Sequence, residues 1–134
     1  MAKETGITFS ATIDDSGGTG RDISNDILSL DFATPRNVQD VTGLDKSGME
    51  RLLLLADFTT TTNGNFNDAA NLSHDVFKTV PSTSVLRTTT LVVSGQTLAG
   101  ELFYTDYAFT RAETGELTWT APGVLGDGSV PTWS

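Results

Sequence analysis

The chain has 134 residues, a length that supports one hydrophobic core and one domain rather than two. It contains no cysteine and a single histidine, which excludes a disulfide-stapled scaffold, a thiolate metal site and a multi-histidine metal centre. With 8 lysines and arginines against 17 aspartates and glutamates, the net charge is −9, so a basic surface that grips nucleic acid is not expected.

Alternating residues predict two β-strands in the first quarter of the chain. Residues 5–13 and 27–34 each place apolar side chains on one face and small or polar ones on the other, the period-two pattern of a half-buried strand. Residues 14–20 (DDSGGTG) are too rich in glycine and aspartate to hold a strand, so we predict a loop there. Pro35 removes a backbone donor and is expected to end the second strand.

The next segment fits more than one element. We predict that residues 36–50 form a loop, with at most a short strand near 38–42. Ser47 and Glu50 have the spacing of a capping box, which favours a short helix over 51–55. A buried strand fits so short an apolar run equally well. Because the run is rich in leucine, we interpret it as core rather than as a docking site.

One principal α-helix is predicted over about 67–79. A strand at 58–62 and a turn at Asn63-Gly64 come before it. Asn67 is suited to cap the helix, and Pro81 stops it. Its apolar residues recur every three or four positions and form one stripe: Ala69, Leu72, Val76, Phe77 and Val80.

The remaining sequence predicts an antiparallel meander. Its strands are expected at 84–94, 97–110 and 116–121, separated by glycine-containing turns. Residues 1–4 and about 122–134 are predicted to be extended arms. With 22 threonines, whose β-branched side chains suit pleated strands with a wet face, the chain is predicted to be mainly β. We expect a single domain, residues 1–134, with the fold of a β-sandwich or open barrel plus one principal helix.

The chemistry-bearing residues do not form a catalytic set. The segment Asp15-Ser16-Gly17-Gly18 is similar to the surroundings of a serine-protease nucleophile, but the only candidate base is His74. His74 lies off the apolar stripe of the helix, so we interpret it as a solvated or interface residue. We therefore expect no enzyme activity, no catalytic residue, no cofactor and no metal site. The longest apolar run, Leu52–Ala56, is too short to span a membrane.

Short segments in a particular order carry a family resemblance. They are DISND at 22–26, PR at 35–36, DVTG at 40–43, LADF at 55–58, NGNFND at 63–68, SGQ at 94–96 and GELTW at 115–119. In this order, over roughly residues 5–121, the chain resembles the tail tube (major tail) proteins of long-tailed bacteriophages.

The resemblance implies a structural role in a virion. Members of that family form homohexameric rings in which every subunit gives strands to a ring-shaped inner β-barrel, and the rings stack into a tube. The tube encloses a tape-measure protein, ends on tail terminator and distal tail proteins, and conducts DNA into the host. The implied location is the virion tail, after assembly in the host cytoplasm, without a membrane partner.

The polar faces of two predicted strands are the candidates for the lining of such a pore. These pore-lining candidates are Ser29, Asp31, Glu116, Thr118 and Thr120. The opposite faces and the helix supply the core candidates Leu28, Leu30, Phe32, Phe77, Leu117 and Trp119. Six copies of a −9 subunit would make an acidic wall that repels phosphates, so that DNA slides rather than sticks. The loops 14–20 and 36–50 and the C-terminal arm are candidates for contacts between rings.

Two other functions fit the same fold class. A β-sandwich can also be a binding or decoration module of a virion, although carbohydrate modules usually show an aromatic platform. The inner tube of a contractile injection system shares the ring architecture, and the sequence does not separate contractile from non-contractile tails. We rank the tail tube subunit first because of the resemblance. The strand edges of an isolated sheet, which invite pairing with identical neighbours, agree with it.

Overall fold

The computed structural model describes residues 7–134. It is mainly β, with 48% of residues in strands and 6% in helices, which confirms the predicted class. The strands are β1 (Ser10–Asp14), β2 (Gly20–Asp22), β3 (Ile27–Ala33), β4 (Arg36–Asp40), β5 (Arg51–Ala56), β6 (Thr59–Asn65), β7 (Arg87–Val93), β8 (Gln96–Tyr104), β9 (Ala108–Arg111) and β10 (Leu117–Leu125). A 3₁₀ turn at Ser24–Asp26 precedes β3, and the helix α1 spans Ser73–Phe77.

Eight of these strands form one antiparallel sheet. Its order is β2-β1-β7-β8-β10-β6-β3, and β9 pairs with β10 next to the end of β8. The sheet curls so that β3, at one end, approaches β1, the second strand from the other end: Phe9, just before β1, and Phe32 of β3 have ring centroids 5.9 Å apart. Among the described strands, β3 pairs with neither β1 nor β2, so the sheet is an open barrel and not a closed one.

The core lies inside the curled sheet and under the helix. Phe77 of α1 contacts both Tyr104 of β8 and Trp119 of β10, with ring centroids 5.2 and 5.1 Å apart. Along β6 the inward residues are buried and the outward ones are partly exposed, as the pleat requires. The buried apolar residues are Ala11, Ile13, Ile23, Phe58, Val76, Phe77, Leu91, Leu98, Leu102, Tyr104, Trp119 and Ala121.

Asn63-Gly64 is not the predicted turn but part of β6. The Trp119 ring lies directly over Gly64, and a Cβ placed there would come within 2.5 Å of a Trp119 ring carbon. Trp119 Nε1 donates to the Asn65 carbonyl oxygen at 2.7 Å, which holds the indole in this position. Glycine is therefore required for close packing rather than for a reversal of the chain.

The helix is shorter than the predicted 67–79. Asn67 does not cap it, because its Oδ1 accepts from the Ala69 N–H at 3.0 Å and its Nδ2 donates to Asp26 Oδ1 at 2.9 Å. These bonds fold the residues before Ser73 into turns. Asp26, which is buried, also accepts from the Ser73 N–H at 3.1 Å and so fixes the start of α1.

A buried arginine fixes the other end of the helix. Arg87 Nη1 donates to the Val76 carbonyl oxygen at 2.8 Å and to the Asp14 carbonyl oxygen at 3.1 Å. Its Nη2 donates to Thr79 Oγ1 at 2.9 Å. Burial lowers the pKa of Arg87, yet the guanidinium replaces its lost water with these three acceptors.

The predicted meander is present with two corrections. The long strand predicted over 97–110 is interrupted at residues 105–107, which separate β8 from β9. The arm predicted to begin at 122 begins later, because β10 runs through Pro122 to Leu125. Pro122 lacks an N–H, but its carbonyl oxygen accepts from the Thr105 N–H at 3.1 Å and keeps the ladder intact.

The C-terminal arm folds back on the sheet. Thr97 of β8 and Ser134 exchange two backbone hydrogen bonds, of 2.9 and 3.0 Å. The Trp133 ring lies 6.1 Å from the Phe32 ring, between centroids. The other predicted arm, at residues 1–4, lies outside the described residues.

The predicted loop at 36–50 and the predicted buried run at 51–55 are both wrong in part. Residues 36–40 are β4, which pairs with β5 in a separate two-stranded sheet. The run 51–55 belongs to β5, and it is neither helical nor buried. Glu50, the residue expected to complete a capping box, instead donates its N–H to Thr42 Oγ1 at 2.9 Å across the hairpin.

Candidate assembly surfaces

Three polar side chains form a hydrogen-bonded row across three neighbouring strands. Register places Asn63 of β6 beside Ser29 of β3 on one side and beside Thr120 of β10 on the other. Asn63 Nδ2 donates to Ser29 Oγ at 3.0 Å, and Thr120 Oγ1 donates to Asn63 Oδ1 at 2.6 Å. This row sits on the outward side of the sheet, opposite the core, and stiffens that surface.

Strand pairing brings four of the five predicted pore-lining residues to this outward side. Asp31 pairs with Thr61, and Thr118 pairs with Asn65. Thr61 and Asn65 lie two residues before and two residues after Asn63 in β6, so they share its face. We call this surface, formed by the outward residues of β3, β6, β9 and β10, the polar face. Because side chains alternate between the two faces of a strand, the outward residues of these four described strands can be read from the sequence. They include an aspartate and no lysine or arginine. Glu116, the fifth candidate, is exposed in the turn before β10.

The core candidates divide into three groups. Phe77 and Trp119 are fully buried, while Leu30 and Phe32 are half-buried and pack against the core. Leu117 is also half-buried. The prediction for Leu28 is wrong, because this residue is 61% exposed.

A β-bulge explains the exposure of Leu28. Ile27 pairs with Gly64 and Ser29 with Asn63, so Leu28 is an extra residue with no partner on β6. A bulge shifts the alternation by one, which turns Ile27 toward the core and leaves Leu28 at the rim.

Two strands of the polar face have a free edge within the described chain. The order across this half of the sheet is β3-β6-β10-β9, with every neighbouring pair antiparallel. The outer edge of β3 and the outer edge of β9 pair with no other described strand. Such edges present backbone donors and acceptors that a further strand can use.

A groove of mixed lining runs along the free edge of β3, between β3 and β1. It has a volume of about 370 Å³. We call it the β3 groove. Its lining residues are Ile7, Phe9, Ala11, Ile27, Leu28, Leu30 and Phe32, together with the polar Ser24 and Ser29.

An aromatic cluster stands beside the free edge of β9. Tyr107 and Phe109 have ring centroids 4.5 Å apart, and Phe66 lies 5.9 Å from Phe109 and 5.0 Å from His74. His74 Nδ1 is 3.3 Å from the Tyr107 hydroxyl oxygen, so the histidine is half-buried among aromatic rings rather than solvated. Burial raises the pKa of Tyr107 to about 12. Phe66 and Phe109 remain 37% and 44% exposed.

The second sheet exposes an unusual amount of apolar surface. β4, β5 and the turn between them, residues 36–56, form what we call the apolar hairpin. Its backbone is well paired, from Arg36 opposite Ala56 to Asp40 opposite Arg51. Its large apolar side chains are nevertheless exposed: Val38, Val41, Leu44, Met49, Leu52, Leu53, Leu54 and Leu55. Exposed apolar side chains in such number are typical of surfaces that contact another molecule.

The loop predicted at 14–20 is an ordered turn. Asp15 Oδ1 accepts from the Gly17 and Thr19 N–H groups at 2.9 and 3.1 Å, and Arg21 Nε donates to Asp15 Oδ2 at 3.1 Å. The hydrogen bond from Thr19, followed by those from Gly17 and Arg21, lowers the pKa of Asp15. The turn is thus of the Asx type.

Residues 7–134 contain no cluster of three or more histidine, cysteine, aspartate or glutamate side chains suited to a metal ion. Over the same span, no helix has the length and apolar character needed to cross a membrane.

The fold is shared with chains of phage-like particles. A chain from the tail of an empty gene transfer agent particle, refined helically with C6 symmetry, superposes with a TM-score of 0.78 at 16% identity. A chain from the virion of a native gene transfer agent particle gives the same TM-score at 14% identity. Each comparison covers 98% of this chain and 99% of the other. No protein-family model and no curated protein matches the sequence.

These matches confirm the sequence resemblance at the level of the fold. The chain has, over nearly its whole length, the architecture of proteins found in a tail particle. Sequence reasoning identified the strands of the polar face but missed Asn63, which it assigned to a turn, and the exposure of the apolar hairpin. The exposed leucines carry no signal that distinguishes them from core residues, because their neighbours in sequence are equally apolar.

Proposed function

We propose that this protein is the structural subunit of a tail tube, in which hexameric rings stack into a hollow tube. The observation that carries the proposal is the four-stranded half-sheet β3-β6-β10-β9, which has a free edge at each side and a polar outward face. The C6 symmetry of the gene transfer agent tail whose chain has this fold supports six copies per ring.

The strand directions support closure of a ring. Because each of the four strands is antiparallel to the next, β3 and β9 run in opposite directions. A rotation about the ring axis preserves the direction of each strand. The β9 edge of one copy therefore meets the β3 edge of the next in the antiparallel sense, which is the sense of every other pair in the sheet. Six copies of four strands would close a wide barrel that leaves a channel.

The polar face would then line the channel. Hydroxyl and amide groups such as Ser29, Asn63 and Thr120 hold one another, and Asp31 adds a negative charge at each subunit. Such a wall attracts water and repels phosphates, so DNA would pass without binding. In this role the tube encloses a tape-measure protein during assembly and conducts DNA during delivery.

The apolar hairpin is the element that we assign to contacts between rings. Its exposed leucines contribute little burial free energy inside one subunit, whereas stacking of rings would remove them from water. The hairpin occupies the 36–50 segment and continues through β5. Tail terminator and distal tail proteins would meet the same surfaces at the two ends of the tube, and the protein would reside in the virion tail after assembly in the host cytoplasm.

Electron microscopy of the purified chain tests the proposal. Negative-stain images over a concentration series should show six-fold rings or striated tubes, and light scattering should give masses in multiples of six subunits. A glycan array run on the same sample tests the alternative of a binding or decoration module. A monodisperse monomer at every concentration, above all one that binds a glycan, would contradict the proposed function.

A further inference from the structure

We infer that the exposed ring of Phe109 in one copy fills the β3 groove of the next copy around the ring. This inference rests on the proposed function and specifies which side chains join neighbouring subunits. The occupant of the groove is thus a second copy of this chain, and the site is complete only when that copy is present.

The groove is suited to an aromatic ring. Its lining combines apolar side chains, among them Phe9, Leu30 and Phe32, with polar groups of Ser24 and Ser29. Its volume of about 370 Å³ exceeds the roughly 150 Å³ of an apolar cavity that holds a benzene molecule. Leu28, which the bulge moves out of the core, lies at the rim of the groove, so a large apolar side chain is available for the contact.

Phe109 is the side chain that the β9 edge presents on the matching side. It pairs with Trp119, whose ring is in the core, so Phe109 points to the inner side of the sheet and not to the polar face. It is nevertheless 44% exposed, because no described strand covers the β9 edge. Phe66 packs against it and widens the exposed aromatic surface.

Joining the two edges brings groove and ring together. Residues on the same face of adjacent strands have Cβ atoms about 4.5–5.5 Å apart. When β9 of one copy lies beside β3 of the next, Phe109 shares the inner face with Leu30 and Phe32, which line the groove. On the outer face the same step places Thr110 beside Ser29 or Asp31, and the polar face continues without a break.

The edges therefore carry complementary surfaces, one a cavity and the other a protruding ring. When copies join head to tail and the ring closes, every β9 edge meets a β3 edge, and no free end remains. An unrelated peptide that only added a strand would form the backbone hydrogen bonds of the β3 edge. It would not need an aromatic side chain at a particular position. The aromatic requirement is what the experiment measures.

Two substitutions test the contact from its two sides. Phe109→Ser removes the ring, and Leu28→Asp places a charge at the groove rim, at a residue that is largely exposed and therefore tolerant in the folded subunit. Each is expected to weaken subunit association roughly tenfold or more, as loss of an aromatic anchor at an interface does. Association is measured as the concentration at which rings appear, and circular dichroism and thermal melting establish that each variant is folded.

Disulfide trapping supplies a second, independent readout, since the chain has no cysteine of its own. Phe109→Cys is combined in turn with Leu28→Cys, Leu30→Cys and Phe32→Cys, and oxidised rings are resolved on denaturing gels. A disulfide needs Cα atoms about 4.4–6.8 Å apart, so only neighbouring strands react. At least one pair should give a ladder up to the hexamer, whereas the control pair Phe109→Cys with Asp22→Cys on the β2 edge should not.

The outcomes separate the two proposals. One outcome is that wild-type rings form, none of the three Phe109→Cys pairs with the β3 groove cross-links, and folded Leu28→Asp assembles at the wild-type concentration. In that case the Phe109 contact is wrong and the proposed tube function stands. If the wild-type chain forms no rings at all, the proposed function fails and the contact fails with it. Cross-linking together with weakened assembly of the folded variants supports the contact.

Discussion

Replacement of Leu55 by serine tests whether the apolar hairpin joins rings. Leu55 is 94% exposed, so nearly all of the roughly 1.5–3 kcal/mol available from burying a leucine is still to be gained in a contact. The folded subunit should lose little, since an exposed substitution changes stability by about 0.5 kcal/mol or less. If each of six copies loses about 2 kcal/mol on stacking, a ring-to-ring interface loses on the order of 10 kcal/mol.

The expected result is a separation of the two assembly steps. Leu55→Ser should form rings at the wild-type concentration, because the β3 and β9 edges are unchanged, while tubes should be short or absent. Tube length is measured by negative-stain microscopy and tube mass by sedimentation at matched concentrations. Val124→Thr is the matched control: Val124 is a partly exposed apolar residue outside the hairpin, in β10, and its change should leave stacking intact.

Tubes of unchanged length would contradict a role of the apolar hairpin in stacking. If Leu55→Ser and the more severe Leu55→Asp both stack at the wild-type concentration, the hairpin leucines are not the contact between rings. Loss of rings together with tubes in a folded variant would also contradict the assignment, because it would place the hairpin in ring closure.

Three further predictions concern the channel, the core and the tyrosines. Asp31→Lys combined with Glu116→Lys changes the subunit charge from −9 to −5 and should leave tubes assembling while DNA delivery falls; unchanged delivery would remove both residues from the pore lining. Gly64→Ala should destabilise the fold by about 1–3 kcal/mol, seen as a lower denaturation midpoint, because the new methyl group meets the Asp26 carbonyl oxygen and the Trp119 ring; wild-type stability would contradict the packing. Burial raises the pKa of Tyr104 and of Tyr107 to about 12, so tyrosinate absorbance should be absent at pH 10.5. The unfolded state ionises from about pH 10, so stability should fall between pH 10 and 12; titration near pH 10 in the folded protein would show the rings to be exposed.

Much of the fold could be predicted because its signals are local. The alternation of Leu30, Asp31 and Phe32 reports the two faces of β3, and the structure places those residues on the expected sides. The bulge at Leu28 could not be predicted in this way, since it depends on how β3 pairs with a strand more than thirty residues away.

Tertiary contacts also overruled two local signals. Asn63-Gly64 is a strong turn signal, but the packing of Trp119 on Gly64 favours an extended strand. Asn67 is a good helix cap, but its side chain bonds to Asp26 instead. In both cases the partner lies far away in sequence, outside any window in which a pattern can be recognised.

The leucines of β5 show what could not be predicted from the sequence about the candidate assembly surfaces. An apolar run predicts burial but does not state whether the covering surface belongs to the same copy or to another. The polar face was more predictable, because threonine, serine and aspartate at alternate positions define it within single strands.

The row that joins Ser29, Asn63 and Thr120 has a consequence for the chemical lifetime of the protein. An asparagine followed by glycine deamidates when the glycine nitrogen attacks the side-chain amide carbon, a reaction that needs a flexible backbone. In β6 the Asn63 amide is held by hydrogen bonds on both sides and Gly64 lies under the Trp119 ring, so the extended chain keeps the reacting atoms out of line. The fold thereby protects the most labile dipeptide of the chain from slow chemical ageing.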